Sequence, residues 1–250
     1  MFGYCNKVLR INLTNESYTI EDLPEEYIKK YLGGRGFNMK RLYDEVSPEV
    51  DALGPHNKFI IGVGPLSGTL FPGSARVNFS AKSPQTDSLG DSNAGGFFGP
   101  ELKFAGFDQV IIEGKAKEKK YIFIKNREVT FHSARNIEGK DVFETQRIIL
   151  EELKDDRVQV ASVGPAAENG VKYSGVFCNL VRAAARTGMG AVLASKNVKA
   201  VAVRGTMDLK AKNPEEFMRI LKEVDHDVYN HYEYETRKLM GTTKLVHALN

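Results

Sequence analysis

Ile61-Gly62-Val63-Gly64-Pro65 recurs later in the chain, in degenerate form, as Ala161-Ser162-Val163-Gly164-Pro165. Each copy is an apolar strand that ends in Gly-Pro, and each is followed by a glycine-punctuated turn, a short helical pattern and a further strand. The copies close at Glu113-Gly114 and Arg204-Gly205. This order predicts a duplicated α+β unit, and two related halves can bind a ligand that has approximate two-fold symmetry itself.

Periodicity on either side of these motifs predicts the remaining elements. Alternation from Lys7 to Leu13, a polar turn and the extended Ser17–Ile20 indicate a β-hairpin, and Tyr121–Phe131 indicates a second one. Two short helices are expected between Glu25 and Val46, separated by Gly33-Gly34, and an amphipathic helix over Asp141–Lys154. The fold class is therefore α+β, with short helices on a duplicated β-rich unit.

The composition changes after Thr206. Asn213-Pro214-Glu215-Glu216 is typical of a helix start, because it combines an N-cap candidate, proline at the first position and acidic residues in the first turn. Helical patterns continue to Met240 and resume after Gly241. We expect residues 1–208 to form the first domain and residues 209–250 to be the incomplete beginning of an all-α domain.

Charge and cysteine content exclude several classes of protein. The 250 residues carry a formal net charge of +3, too little for the basic surface of a nucleic-acid-binding protein. No apolar run reaches the roughly 18 residues of a membrane span, and the N-terminus has no signal-peptide core, so a cytoplasmic protein without a membrane partner is expected. The two cysteines, Cys5 and Cys178, cannot by themselves ligate an iron–sulfur cluster.

Glycine is concentrated where a ligand is expected. Of the 23 glycines, 14 lie between Gly33 and Gly114, where their backbone can approach a bound molecule closely. Ser92–Gly99 precedes a helical pattern, and free amide N–H groups at that helix end would suit a phosphate. In the second copy, Arg182 and Arg186 lie four residues apart beside a glycine turn, and Arg76 follows a glycine loop in the first.

Other interpretations of these residues stay open. The glycines can serve only as turns, and the arginines can be solvated or paired with carboxylates. Gly188-Met189-Gly190 with Ala194 imitates a dinucleotide-binding fingerprint, which would indicate a nucleotide-binding enzyme. The preceding Val181–Ala185 is helix-like rather than a strand, however, so that match is weak.

The chain resembles the N-terminal domain of the tungsten-containing aldehyde ferredoxin oxidoreductases. The resemblance extends in one order from residue 3 to about residue 205. Its motifs are Lys7-Val8-Leu9-Arg10-Ile11-Asn12-Leu13, Tyr31-Leu32-Gly33-Gly34-Arg35-Gly36, Val63-Gly64-Pro65-Leu66-Ser67-Gly68, Ser92-Asn93-Ala94-Gly95-Gly96-Phe97-Phe98-Gly99, Glu101-Leu102-Lys103-Phe104-Ala105-Gly106-Phe107-Asp108, Ile111-Ile112-Glu113-Gly114 and Arg182-Ala183-Ala184-Ala185-Arg186-Thr187-Gly188-Met189-Gly190.

The resemblance implies a pseudo-two-fold base for a tungsten bis-molybdopterin cofactor (tungstopterin), whose phosphates are joined by Mg²⁺. The backbone carbonyls of Asn93 and Ala183 would bind the magnesium ion, and Arg76 would reach a pterin. The remaining cofactor-binding positions lie around the phosphates. They are Ala94, Gly95, Gly96, Arg182, Ala185 and Arg186.

By the same resemblance, the full-length enzyme oxidises aldehydes to carboxylic acids in anaerobic metabolism and passes electrons through a [4Fe–4S] cluster to ferredoxin. The cluster cysteines and the catalytic residues belong to later helical domains, so no catalytic residue is assigned here and the chain alone should be inactive. Ala75 and Ala185 stand where the family usually has glycine. The alternative is a non-catalytic pterin carrier or cofactor-handling partner, and a homo-oligomer stays open.

Overall fold

A six-stranded mixed sheet forms the first half of the chain. The computed structural model describes residues 1–249. The strands of this sheet are β1 (Lys7–Asn12), β2 (Ser17–Asp22), β3 (Phe59–Val63), β4 (Val77–Lys82), β5 (Leu89–Ala94) and β6 (Gln109–Glu113). Their order is β2-β1-β6-β3-β4-β5, with β1 and β6 parallel and all other neighbours antiparallel.

The second half repeats this sheet strand for strand. Its members are β7 (Lys120–Lys125), β8 (Glu128–Ser133), β9 (Gln159–Ser162), β10 (Val176–Cys178), β11 (Arg182–Ala184) and β12 (Val198–Arg204). The order β8-β7-β12-β9-β10-β11 again has one parallel pair, β7 with β12. The duplicated α+β unit is thus confirmed, and each copy is longer than the sequence motifs indicate because it begins with a hairpin.

Helices occupy equivalent places in the two halves. Between the hairpin and the third strand lie α1 (Glu25–Tyr31) and α2 (Arg35–Glu45) in the first half, and α4 (Val142–Leu153) in the second. The helices α3 (Phe98–Phe104) and α6 (Met189–Ser195) precede the last strand of each half, and α5 (Pro165–Glu168) follows β9. Asp141 begins α4 by accepting hydrogen bonds from the amides of Phe143 and Glu144, at 2.9 and 2.8 Å.

The two sheets share one apolar core. Ile61 and Phe79 of the first sheet belong to the same cluster of buried side chains as Val163 and Val201 of the second half. Each such side chain contributes roughly 1.5–3 kcal/mol when it is removed from water. Burial on both faces explains why these strands appear in the sequence as continuous apolar runs rather than as an alternation.

The prediction that Val181–Ala185 is helix-like rather than a strand is wrong. Arg182–Ala184 forms the strand β11, which pairs with β10, instead of a helical turn. Alanine favours a helix locally, but Asn179 and Leu180 adopt positive φ angles of 50° and 67° and reverse the chain. The backbone hydrogen bonds of the resulting hairpin override the local helix propensity.

After β12 the chain crosses α3 and becomes helical. Met207 donates a backbone hydrogen bond to Phe104 at 2.9 Å, and α7 (Pro214–Tyr229), α8 (Tyr234–Met240), a 3₁₀ turn (Gly241–Lys244) and α9 (Leu245–Leu249) follow. The Asn213 side chain caps α7 as expected, accepting from Glu216 N at 3.1 Å. The boundary at residue 208 stays a prediction, and Asn250 lies outside the described residues. Within residues 1–249, no helix is long and apolar enough to cross a bilayer.

A cluster of charged side chains fastens α2 to the first sheet. Glu45, at the end of α2, accepts from Arg10 of β1 at 3.0 Å, from Arg41 at 2.9 Å, and from Lys58, which precedes β3. Burial by itself would raise the pKa of Glu45, but these hydrogen bonds outweigh it and lower the pKa to about 2.

We expect Glu45→Gln to change how stability depends on pH. A carboxyl group whose pKa is lowered in the folded state stabilises the protein above its unfolded pKa, and this contribution disappears as the pH falls from about 4.5 to about 2. After allowance for partial solvent exposure, the contribution at neutral pH is about 1–2 kcal/mol. Chemical denaturation between pH 2 and 7 measures it. The exposed Glu49→Gln is the control, and equal pH profiles for the two variants would refute the assignment.

Candidate functional site

The edge strands of the two sheets, β5 and β11, lie side by side. The amide of Arg186 donates to Ser92 Oγ at 3.0 Å, and Thr187 Oγ1 donates to the carbonyl of Asp91, also at 3.0 Å. Asn93 and Ala183 occupy equivalent positions, since each is the last residue but one of its edge strand. The duplication therefore brings the two residues predicted to bind magnesium into related places.

A cavity of about 370 Å³ lies where these edge strands meet. Six of the nine predicted cofactor-binding residues line it, together with Gly73, Ala75 and Val181; the six are Arg76, Asn93, Ala94, Gly95, Arg182 and Ala183. Gly96 lies just behind, where an added Cβ would be 3.1 Å from Arg182 Cγ. Ala185 and Arg186 are exposed on the loop after β11 and do not line this cavity.

The cavity is rich in hydrogen-bond donors that have no acceptor. Arg76 and Arg182 line it and are exposed, and neither forms an ion pair within residues 1–249, although most other arginines do. Arg186, on the loop after β11, forms no ion pair in that range either. The amides of Gly95 and Gly96 likewise donate no hydrogen bond within that range. Guanidinium groups and free backbone amides converging on one space are suited to a phosphate.

The prediction of free amides at the start of α3 needs a correction. Asn179, from the β10–β11 loop of the other half, accepts hydrogen bonds from Phe97 N at 3.0 Å and Phe98 N at 3.2 Å through its Oδ1 atom. Those two amides therefore already donate hydrogen bonds to a side chain of the protein. Within residues 1–249, the amides of Gly95, Gly96 and Gly99 donate no hydrogen bond. Sequence reasoning did not identify Asn179.

A buried amide network holds the Asn93 side chain. Asn78 Nδ2 donates to Asn93 Oδ1 at 3.1 Å, and Asn93 Nδ2 donates to Asp91 Oδ2 at 3.3 Å. Asp91 also accepts from Arg35 Nε at 2.8 Å, which ties the glycine-flanked start of α2 to β5. These contacts fix the orientation of Asn93 next to the cavity.

The network continues into the core. Asn38 donates to Asn78 Oδ1 at 2.9 Å and accepts from Gln109 Nε2 at 3.0 Å. Gly62 makes room for this amide, because a Cβ there would lie 2.4 Å from Asn38 Oδ1. Sequence reasoning missed Asn38, Asn78 and Asp91. The available signal was an asparagine within the apolar strand Val77–Lys82, where asparagine is usually depleted.

A second cavity, of about 310 Å³, adjoins the first and shares Arg76 and Asn93 with it. Gly33-Gly34-Arg35 and Gly64-Pro65 form other parts of its wall. Within residues 1–249 there is no cluster of three histidine, cysteine, aspartate or glutamate side chains able to hold a metal ion.

Comparisons with known proteins identify the family of this chain. A family model described as "Aldehyde ferredoxin oxidoreductase, N-terminal domain" matches residues 8–205. The chain is 45% identical over 223 residues to a tungsten-containing aldehyde ferredoxin oxidoreductase of Pyrococcus horikoshii, an alignment that covers 89% of this chain and 37% of that protein. It is 33% identical to the WOR-like subunit of an aliphatic sulfonate oxidoreductase of Pyrococcus furiosus, covering 88% and 38% of the two chains.

A solved structure shares the fold as well. The active-site complex BamBC of benzoyl coenzyme A reductase, in complex with 1,5-dienoyl-CoA, is similar to this chain with a TM-score of 0.90 and 40% identity. The match covers 93% of this chain and 35% of the other. The chain thus spans just over a third of the length of the curated relatives it matches. It belongs to the aldehyde ferredoxin oxidoreductase family, and residues 8–205 correspond to the N-terminal domain of that family.

Proposed function

We propose that this chain is the tungstopterin-binding part of an oxidoreductase that converts aldehydes to carboxylic acids, with electrons leaving through a [4Fe–4S] cluster to ferredoxin. The observation that carries the proposal is the cavity between β5 and β11, where Arg76 and Arg182 have no carboxylate partner within residues 1–249. Family membership supplies the identity of the cofactor, and unsatisfied donors on both halves support its phosphates as the ligand.

The residues present fit this cofactor. The Gly95 and Gly96 amides with Arg182 would hold one part of the phosphate region, and Ala185 with Arg186 would reach it from beyond β11. The carbonyls of Asn93 and Ala183 would bind Mg²⁺, next to Ala94, and Arg76 would contact a pterin. Bound tungstopterin supplies two-electron redox chemistry at the metal. The role of this chain is to bind and orient the cofactor.

The additional methyl group of Ala185 has a place in the protein. A Cβ added to Gly175 would lie 3.2 Å from Ala185 Cβ and 3.0 Å from the Ala184 carbonyl oxygen. Ala185 therefore packs against the backbone of Gly175, where no side chain competes with it. We propose that Ala185 contributes its amide to the phosphate region without its methyl group entering the cavity.

The cysteines of this chain do not suit an iron–sulfur cluster. Burial raises the pKa of Cys5 to about 12 and raises the pKa of Cys178 as well, which disfavours the thiolate that ligates iron. We propose that the cluster, the catalytic residues and the contact with ferredoxin come from helical domains or a subunit outside these residues. This chain alone should then show no aldehyde oxidation.

The alternative function is that of a pterin carrier or cofactor-handling partner that binds without catalysis. The low cysteine content favours it, and the cavity serves both functions equally well. The likeness to the benzoyl coenzyme A reductase complex adds a second substrate class, an aromatic acyl-CoA, for the enzyme hypothesis. Turnover of the native protein with an aldehyde series and with an aryl-CoA thioester separates these two classes.

The first test is the composition of the protein isolated anaerobically from its native host. We expect tungsten, pterin and magnesium to co-purify with it, together with iron from the remaining domains. Elemental analysis and pterin fluorescence after oxidation measure these contents. Pterin without iron would favour the carrier, whereas the absence of both tungsten and pterin would refute the proposal.

We expect Arg182→Ala to weaken the binding of magnesium pyrophosphate, a probe for the cofactor phosphates, by about tenfold or more. A charge-assisted hydrogen bond contributes roughly 1.5–3 kcal/mol, and Arg76 is the one other guanidinium among the residues that line the cavity. Isothermal titration calorimetry measures the change. Arg127→Ala is the matched control, because Arg127 also has no ion pair within residues 1–249 but lines a different cavity. An equal loss of affinity for magnesium pyrophosphate in the two variants would contradict the assigned site.

Asn78→Ala should lower both stability and magnesium retention. The substitution removes the hydrogen bonds to Asn38, Asp91 and Asn93 and leaves buried polar groups without partners, which costs about 1–3 kcal/mol. Urea denaturation and metal content of the purified protein measure the two effects. The control is Asn15→Ala, in an exposed turn. Unchanged magnesium content in a destabilised variant would show that the network supports only the fold.

A further inference from the structure

We propose that Asn179 is a positioning residue that holds the Gly95–Phe97 turn of the first half against Arg182 of the second half. Its contribution to ligand binding rests on the proposed function, whereas its contribution to the geometry of the turn does not. Asn179 does not line the cavity, so it would act only through its neighbours.

The Asn179 side chain joins the two halves. Its Oδ1 atom accepts from Phe97 N at 3.0 Å and Phe98 N at 3.2 Å, and its Nδ2 atom donates to Gln159 Oε1 of β9. All hydrogen-bonding groups of the amide except one N–H are therefore used. One rigid side chain thus connects the start of α3 to the second sheet.

Gly96 shows how closely this contact is packed. A Cβ added to Gly96 would lie 3.1 Å from Asn179 Oδ1 and 3.1 Å from Arg182 Cγ, and Gly96 has a φ of +93°. The turn that carries the two free amides is therefore in contact with both Asn179 and the arginine stem. A shift of Asn179 would move the amides and the guanidinium relative to each other.

The backbone of the β10–β11 loop is itself constrained. Asn179 and Leu180 both have positive φ angles, of 50° and 67°, which non-glycine residues rarely adopt in succession. Asn179 N donates to the Val160 carbonyl at 3.1 Å, and Val181 N donates to the Asn179 carbonyl at 2.8 Å. Asparagine tolerates this conformation better than most residues. The same residue therefore sets where β11 begins, and Arg182 is its first residue.

The corresponding loop of the first half does not have this function. Between β4 and β5, the hydroxyl oxygen of Ser83 accepts from the amides of Gln85 and Thr86, at 3.1 and 3.2 Å. Those hydrogen bonds are local and do not reach the second half. Of these two equivalent loops, only the one that contains Asn179 forms a side-chain hydrogen bond to the turn beside the cavity.

The test separates hydrogen bonding from backbone strain by substitution with glycine. Asn179→Gly keeps a residue that accepts the left-handed conformation and removes the side-chain amide, whereas Asn179→Asp keeps an oxygen acceptor for Phe97 N and Phe98 N. The matched control is Asn126→Gly, because Asn126 has a φ of 51° in the β7–β8 turn and hydrogen bonds to Thr206, away from the cavity.

The first readout is amide hydrogen exchange of the chain without ligand, resolved by residue. In the unsubstituted chain we expect Phe97 and Phe98 to be protected and Gly95 and Gly96 to exchange fast. Asn179→Gly should speed exchange at Phe97 and Phe98 by at least tenfold, and Asn179→Asp should restore protection, while Asn126→Gly leaves both amides unchanged. Fast exchange at Phe97 and Phe98 in the unsubstituted chain would overturn the proposal without any variant having to fold.

The second readout is the Kd for magnesium pyrophosphate. We expect Asn179→Gly to raise it by about tenfold while the thermal unfolding midpoint falls no more than in Asn126→Gly. An unchanged Kd together with lost protection would show that Asn179 caps α3 and positions nothing for a ligand, which overturns the proposal. If the unsubstituted chain binds no pyrophosphate, the proposed function fails, and the exchange experiment alone decides the role of Asn179 in the turn.

Discussion

Each sheet of this protein has an edge strand, β5 in the first and β11 in the second, that has only one hydrogen-bonded neighbour. The candidate site depends on how these two strands meet. An edge strand carries backbone N–H and C=O groups that its single partner cannot satisfy. Here the loop after β11 donates hydrogen bonds to β5, from Arg186 N to Ser92 and from Thr187 to Asp91, and residues of both strands line one cavity. The duplication therefore creates a site where an edge strand of one half meets an edge strand of the other.

The two halves have one topology but contribute different chemistry. The first half contributes the amides of Gly95 and Gly96, the Arg76 guanidinium and a buried amide network that ends at Asn93. The second half contributes Arg182, the first residue of β11, and the loop that precedes this strand begins with Asn179. A ligand with approximate two-fold symmetry would thus meet equivalent strand ends but different hydrogen-bond donors.

Features that depend on local sequence could be predicted. Hairpins, helix starts such as Asn213-Pro214, and the repeated strand-Gly-Pro motif follow from periodicity and from turn or capping chemistry. Six of the nine proposed ligand residues also line one cavity. β11 could not be predicted, because alanine propensity favours a helix and only its pairing with β10 makes it a strand. Asn179 could not be identified either, since its partners Phe97 and Phe98 are more than eighty residues away in sequence.

Proteins that are similar to this chain differ in the activities for which they are named. A tungsten-containing aldehyde ferredoxin oxidoreductase, an aliphatic sulfonate oxidoreductase subunit and a benzoyl coenzyme A reductase complex all match most of this chain, at 45%, 33% and 40% identity. An aldehyde, a sulfonate and an aryl thioester have little in common that one pocket would recognise. That all three match this chain fits the proposed role of binding a redox cofactor, which does not depend on the substrate.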